Sequence, residues 1–156
     1  MMKNASTILA RNKKARHDYD ILETFEAGIQ LTGTEVKSCR EHNVNLTEGY
    51  GKIINGELWL CNVHIAQYKQ GNRYNHAVRR DRRLLVHKRE LRRLQQSTQA
   101  KGLTVIPLSF YLKRQHVKVE LGLARGKQKH DKRETMKRRI HDQEARVAMA
   151  GGRRRI

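Results

Sequence analysis

Three groups of side chains have types and spacings that can do chemistry, and in each case the chemistry is that of holding a polyanion. The first is the run 125–156, RGKQKHDKRETMKRRIHDQEARVAMAGGRRRI, with twelve Lys or Arg against four Asp or Glu. Each cation brought near a phosphate releases condensed counterions, so such a run orders readily against nucleic acid. Alone it buries too little apolar surface to offset its ordering entropy, and it is expected to be a disordered arm. The second group is Lys13, Lys14, Arg16 and His17. Its fixed charges can contact phosphates, and its imidazole can stack on a base or ribose. The third is eight cations between Arg79 and Arg93, set against Asp81 and Glu90, which reads as a basic surface in any fold.

Other chemistries find no comparable set. There is no HxxxH or CxxC, no acidic cluster suited to Mg²⁺, and no Ser/His/Asp or Cys/His arrangement. No metal or cofactor is expected, and the chain reads as a non-enzyme. Cys39 and Cys61 read as small buried hydrophobes in a reducing cytoplasm. A net charge of +19 points to nucleic acid before an anionic membrane. No apolar run approaches the ~18–20 residues that would span a bilayer. The first residues lack the apolar core of a signal peptide, so a cytoplasmic protein is expected.

The elements that must position these groups can be read from periodicity and turn chemistry. From Tyr19 to Leu31 apolar and polar residues alternate, which predicts a long half-buried strand with a bend or bulge at Gly28. Thr34 is expected to cap a short helix from Glu35 to about His42. Asn55-Gly56 between two β-rich runs predicts a type I′ hairpin. Residues 66–83 read as a long polar loop, and 84–100 as a helix with Leu84, Leu91 and Leu94 inward, closed by Gly102. Residues 103–112 and 117–123 predict a second strand pair, with Pro107 at an edge or bulge. Many short antiparallel strands with two helices fit a small barrel over residues 1–124, followed by the basic arm 125–156.

These segments together resemble the small protein B family, the SsrA-binding proteins of bacterial trans-translation. The resemblance rests on NKKARHDY (12–19), ETFEAGI (23–29), TGTEVKSCRE (32–41), NGELWL (55–60), QGNRYNH (70–76), RRLLVHKREL (82–91) and VKVELGLARGKQKHDKRETMK (117–137). It implies a mainly β, oligonucleotide-binding (OB-like) antiparallel barrel with short flanking helices and a tail unstructured in solution. It further implies a monomeric adaptor that binds the tRNA-like domain of transfer-messenger RNA and carries it to stalled ribosomes. Elongation factor Tu would take part through the aminoacylated RNA. The tail would occupy the decoding centre of 16S rRNA and the empty mRNA channel. Cys39 stands where the family usually has Leu, and Gln128 where it often has Lys.

The resemblance marks Glu26, Leu85 and Lys118 as RNA-binding residues of the barrel, beside Lys13, Arg16 and His17. It marks Asp131, Lys132 and Arg133 of the tail as residues of tagging, preceded by Arg125, Lys127 and Lys129. Considered as residues alone, these positions stay open. Glu26 repels phosphate, so it belongs in an RNA site only by accepting hydrogen bonds from a base or by orienting a cation; otherwise it is an ordinary strand residue. Leu85 is a core residue by pattern, and an RNA contact only if exposed. Lys118 alternates with Val117 and Val119 and should point off the barrel. Glu134–Arg138 and Asp142–Arg146 lie at helical spacing. Such pairs are worth only ~0.2–0.5 kcal/mol each, so the arm should be coil when free and helix when bound. The competing reading is a small basic ribosomal protein that holds rRNA permanently.

Overall fold

In a computed structural model, residues 7–127, 137–141 and 143 are described, apart from the side chains of 72–74. The elements in order are β1 (Thr7–Arg11), α1 (Ala15–Asp18), β2 (Tyr19–Ile29), α2 (Gly33–Arg40), β3 (Val44–Asn45), β4 (Tyr50–Ile54), β5 (Glu57–Cys61), β6 (His64–Ile65), a 3-10 segment (Lys69–Tyr74), β7 (Arg82–Leu85), α3 (Lys88–Lys101), β8 (Thr104–Lys113) and β9 (His116–Gly126). Seven strands form one antiparallel sheet in the order β1-β8-β4-β5-β7-β2-β9, and a β8–β9 pairing closes it into a barrel. The mainly β architecture is as expected.

Closure depends on the length of β8. Its N-terminal half pairs β4 at Gly51↔Val105, its C-terminal half pairs β1 from Ser109 to Leu112, and along its other side it pairs β9. Pro107 sits at the register shift of the β8–β9 ladder. A residue without an N–H is tolerated at such an irregularity. Asn12 bridges the same stretch: its amide N donates to Leu108 O at 2.8 Å and its Nδ2 donates to Pro107 O at 2.9 Å. Phe110, Val119 and Leu121 from the β8–β9 pair meet Leu58, Leu60 and Val63 in the sealed interior. A smaller cluster of Ala15, Ile106, Leu108 and Ala124 seats α1 on the sheet.

Several local expectations hold for the stated reasons. β2 alternates from Tyr19 onward, and Asn55-Gly56 joins β4 to β5 with φ of +50° and +75°. Cys39 and Cys61 are buried free thiols, and burial pushes the Cys39 thiol up to about 12. Others are corrected. Thr32, not Thr34, caps α2: its hydroxyl accepts from the Glu35 amide while the Glu35 carboxylate accepts from the Thr32 amide at 2.9 Å. Thr34 instead shares a hydrogen bond of 2.8 Å with His76 Nδ1. Leu84 is buried as expected, but on strand β7; the helix begins only at Lys88. Strand β1 went unread because its five residues are too few to show a period.

The basic surface expected of 79–93 is also corrected. Arg82 lies wholly inside, its Nε donating to Glu35 Oε2 at 2.6 Å and its Nη1 to Val63 O at 2.8 Å. Arg80 donates to Glu35 Oε1, also at 2.6 Å. These bonds tie α2 to β7 and to the loop before it. Arg83 pairs with Glu57 at 3.3 Å, and Arg93 pairs with Glu23. Lys88, Arg89 and Arg92 remain exposed on α3.

Candidate nucleic-acid interface

On β2 the outward side carries Glu26 and Gly28 two residues apart, about 7 Å along the strand. Gly28 pairs with Leu85 of β7 on one side and with Lys118 of β9 on the other. The row continues from Lys118 to Tyr111 of β8 and on to Ile8 of β1. One transverse line of the barrel therefore reads Leu85–Gly28–Lys118–Tyr111–Ile8. Leu85 is 44% exposed, a large apolar side chain turned to solvent. Gly28 keeps the line low at its middle: a Cβ there would lie 3.4 Å from Leu85 Cβ and 3.8 Å from Lys118 Nζ.

Glu26 lies one step along from this row, opposite Glu120. The Tyr111 hydroxyl donates to Glu26 Oε2, and Lys113 Nζ lies 3.3 Å from the same oxygen and 3.5 Å from Oε1. The Tyr111 hydrogen bond, helped by Lys113 and Lys118 against the cost of partial burial, holds the Glu26 carboxyl below its ordinary range. Burial first, then the Glu26 hydrogen bond, pushes the Tyr111 phenol up. The result is an ionised carboxylate beside a phenol that keeps its proton. An open cleft of about 350 Å³ lies against it, lined by Ile8, Thr24, Phe25, Glu26, Ser109, Tyr111 and Glu120.

The residues expected to act together divide into two places. Glu26, Leu85 and Lys118 share the face just described. Lys13, Arg16 and His17 sit around α1, at the other end of β2 and roughly 25 Å away by strand length. His17 is half-buried, and its Nδ1 is buried without a hydrogen-bond partner. Arg125 and Lys127, expected in the arm, are found here on the barrel. Strand β9 runs two residues past the expected boundary, placing Arg125 opposite Asp20. Lys127 packs down, donating its amide to Asp18 O at 2.9 Å and its Nζ to Arg16 O at 3.1 Å. Residues 137–141 and 143 are helical and exposed, within the stretch of helical spacing noted above. Lys129, Asp131, Lys132 and Arg133 lie outside the described residues; where the arm is described, at 137–141 and 143, it is helical rather than the coil expected of the free chain.

Tyr111 and Lys113 carry no signal in the sequence, and Gly28 suggests there a bend or bulge rather than a part of this face. The apolar run of β8 hides its alternation, and the irregularity after Pro107 resets which side each residue faces. The bend or bulge expected at Gly28 is instead a register shift between Ile21 and Glu23, and a Cβ at Gly28 would meet only ordinary contacts.

Fold and face together define a small basic β-barrel that presents a carboxylate, a lysine and an apolar side chain on one open surface. The profile of the SmpB protein family matches residues 9–151. An SsrA-binding protein of Levilactobacillus brevis is 58% identical over 142 residues, covering 91% of this chain and 90% of its own. One of Carboxydothermus hydrogenoformans is 58% identical over 132 residues, covering 85% and 89%. Among solved structures, a chain described as tmRNA-SmpB on a journey to the center of the bacterial ribosome matches with a TM-score of 0.66. It is 50% identical, over 81% of this chain and 93% of that one. The chain belongs to the SmpB family of SsrA-binding proteins.

Proposed function

We propose that this protein is a non-enzymatic adaptor of trans-translation. It binds transfer-messenger RNA through the face of Glu26, Leu85 and Lys118 and delivers it to stalled ribosomes. The observation that carries the reading is the juxtaposition on that face of three different recognition chemistries. Leu85 offers an apolar contact to an unstacked nucleotide, Lys118 a cation for phosphate, and Glu26 acceptors for a base edge. Around α1, Lys13, Arg16 and His17 form a second RNA-binding group of the barrel, beside the point where the chain leaves it. From there the tail runs into the decoding centre and the empty mRNA path, where Asp131, Lys132 and Arg133 set the start of a helix. Asp131 favours its N-terminal end, and the two cations hold phosphate. The protein acts as a cytoplasmic monomer and meets elongation factor Tu through the charged RNA.

The test separates the two jobs. In gel-shift titrations, Glu26→Ala is expected to weaken transfer-messenger RNA binding by about tenfold, the loss of one base-directed contact. The triple change of Asp131, Lys132 and Arg133 to Ala is expected to leave that binding intact. Translated in vitro on a message without a stop codon, the triple variant should reach ribosomes yet leave the nascent peptide untagged. Normal tagging by the triple variant would reduce the tail to a nonspecific polycation.

A further inference from the structure

Glu26 is not an isolated charge on a strand but one held in place from the neighbouring strand. Tyr111 donates to Oε2, and Lys113 Nζ reaches both oxygens only at 3.3–3.5 Å. A carboxylate has about four acceptor positions on its two oxygens; Oε1 keeps one open, and Oε2 opens one when a stronger donor displaces the loosely placed Lys113. The side chain is 40% exposed, and the cleft opens beside it. Glu120 faces it across the ladder, a like-charge neighbour that destabilises a sheet. Glu26 and Glu120 are offset by Lys113 and Lys118, so the cleft itself carries little net positive charge, and its carboxylate oxygens favour neutral hydrogen-bond donors.

The donors that fit can be deduced from the bases. Once Lys113 has been displaced, a carboxylate with one position open on each oxygen asks for two parallel N–H groups. On its Watson–Crick edge guanine alone presents two adjacent donors, N1–H and the 2-amino group. Adenine and cytosine each place an acceptor nitrogen beside their amino group, and uracil flanks its single N–H with two carbonyls. Any of the three would set an acceptor against one carboxylate oxygen. Bases are read this way when unpaired, with the ring resting on an aromatic or apolar side chain, and Tyr111 and Ile8 line the cleft for that purpose.

Resting on the assignment of RNA binding to this face, we propose that Glu26 recognises the Watson–Crick edge of one unpaired guanine, and that Tyr111 is the positioning residue that aims it. The Tyr111 hydroxyl fixes the carboxylate plane, so the two open acceptor positions point into the cleft together. Lys113 and Lys118 keep the carboxylate ionised.

The test uses the full-length protein and transfer-messenger RNA transcribed with inosine in place of a small random fraction of guanosines. Inosine lacks only the 2-amino group. Bound and unbound RNA are separated, and the sites of inosine are mapped. With the wild-type protein, inosine at one unpaired position should be depleted from the bound fraction by about tenfold, the discrimination of a bidentate contact. Glu26→Gln should erase that depletion, because its amide offers one acceptor and one donor. Tyr111→Phe should keep the wild-type melting temperature, weaken binding several-fold and shrink the depletion at the same position. Depletion that persists unchanged in Glu26→Gln, or its absence from wild-type protein that binds the RNA tightly, overturns the guanine assignment. Unaltered depletion in Tyr111→Phe overturns the positioning role. Failure of the wild-type protein to bind the uniform, unsubstituted transcript would instead overturn RNA binding at this face.

Discussion

Glu26 and Glu35 are nine residues apart, and each is hydrogen-bonded by side chains from distant parts of the chain, yet their circumstances are opposite. Glu35 is wholly buried and holds Arg80, Arg82 and the Thr32 amide. Its acceptor positions are spent inside the protein, and each bond joins elements that would otherwise separate. Glu26 is exposed, held by one phenol and one loosely placed lysine, and retains acceptors directed outward. The difference teaches that a bound carboxylate has a structural or a recognition role according to how many of its lone pairs the fold leaves open. A buried ion pair is weak evidence for stability by itself, but removing one partner leaves the other charge stranded.

The largest effect should therefore come from Glu35. Glu35→Ala leaves the Arg82 guanidinium uncompensated in the interior and is expected to cost ~3–5 kcal/mol, read by urea denaturation. Glu26→Ala, at an exposed site, should stay within ~0.5 kcal/mol of wild type in the same experiment. Equal losses from the two would break the comparison.

Acid sharpens it. Burial alone would raise the Glu35 pKa, but Arg80, the Thr32 amide and Arg82 together hold it below the ordinary 4.5. A carboxyl depressed in the folded state contributes stability that is fully present above its unfolded value and lost as pH falls through the folded one. The melting temperature should thus be level above about pH 5 in this respect and fall progressively below the ordinary carboxylate range. Glu26→Gln should retain most of that fall, and its disappearance in this variant would reassign the acid sensitivity to the exposed face.

The smallest effect is at Lys118. Lys118→Ala should leave the melting temperature unchanged and flatten the salt dependence of RNA binding by about one ion, the loss of a single phosphate contact. An unaltered slope would show that Lys118 acts only on Glu26, through its charge.

What the sequence determined by itself is local: the alternation of β2, the Asn55-Gly56 turn, a basic chain with buried cysteines, and outward placement for Glu26 and Lys118. Period and turn chemistry act over a few residues, so these are visible in a short window. The tertiary structure decided what depends on distant partners. It buried Arg82, which in sequence is one of eight similar cations. It exposed Leu85, because four residues of β7 set its side to solvent where a helix had been expected. It joined Tyr111 and Lys113 to Glu26 across 85 and 87 residues, a pairing that only the β8–β9 and β2–β9 registers create. It also took Arg125 from the arm into β9 opposite Asp20 and set Lys127 against α1, because strand pairing persists as long as β2 supplies a partner.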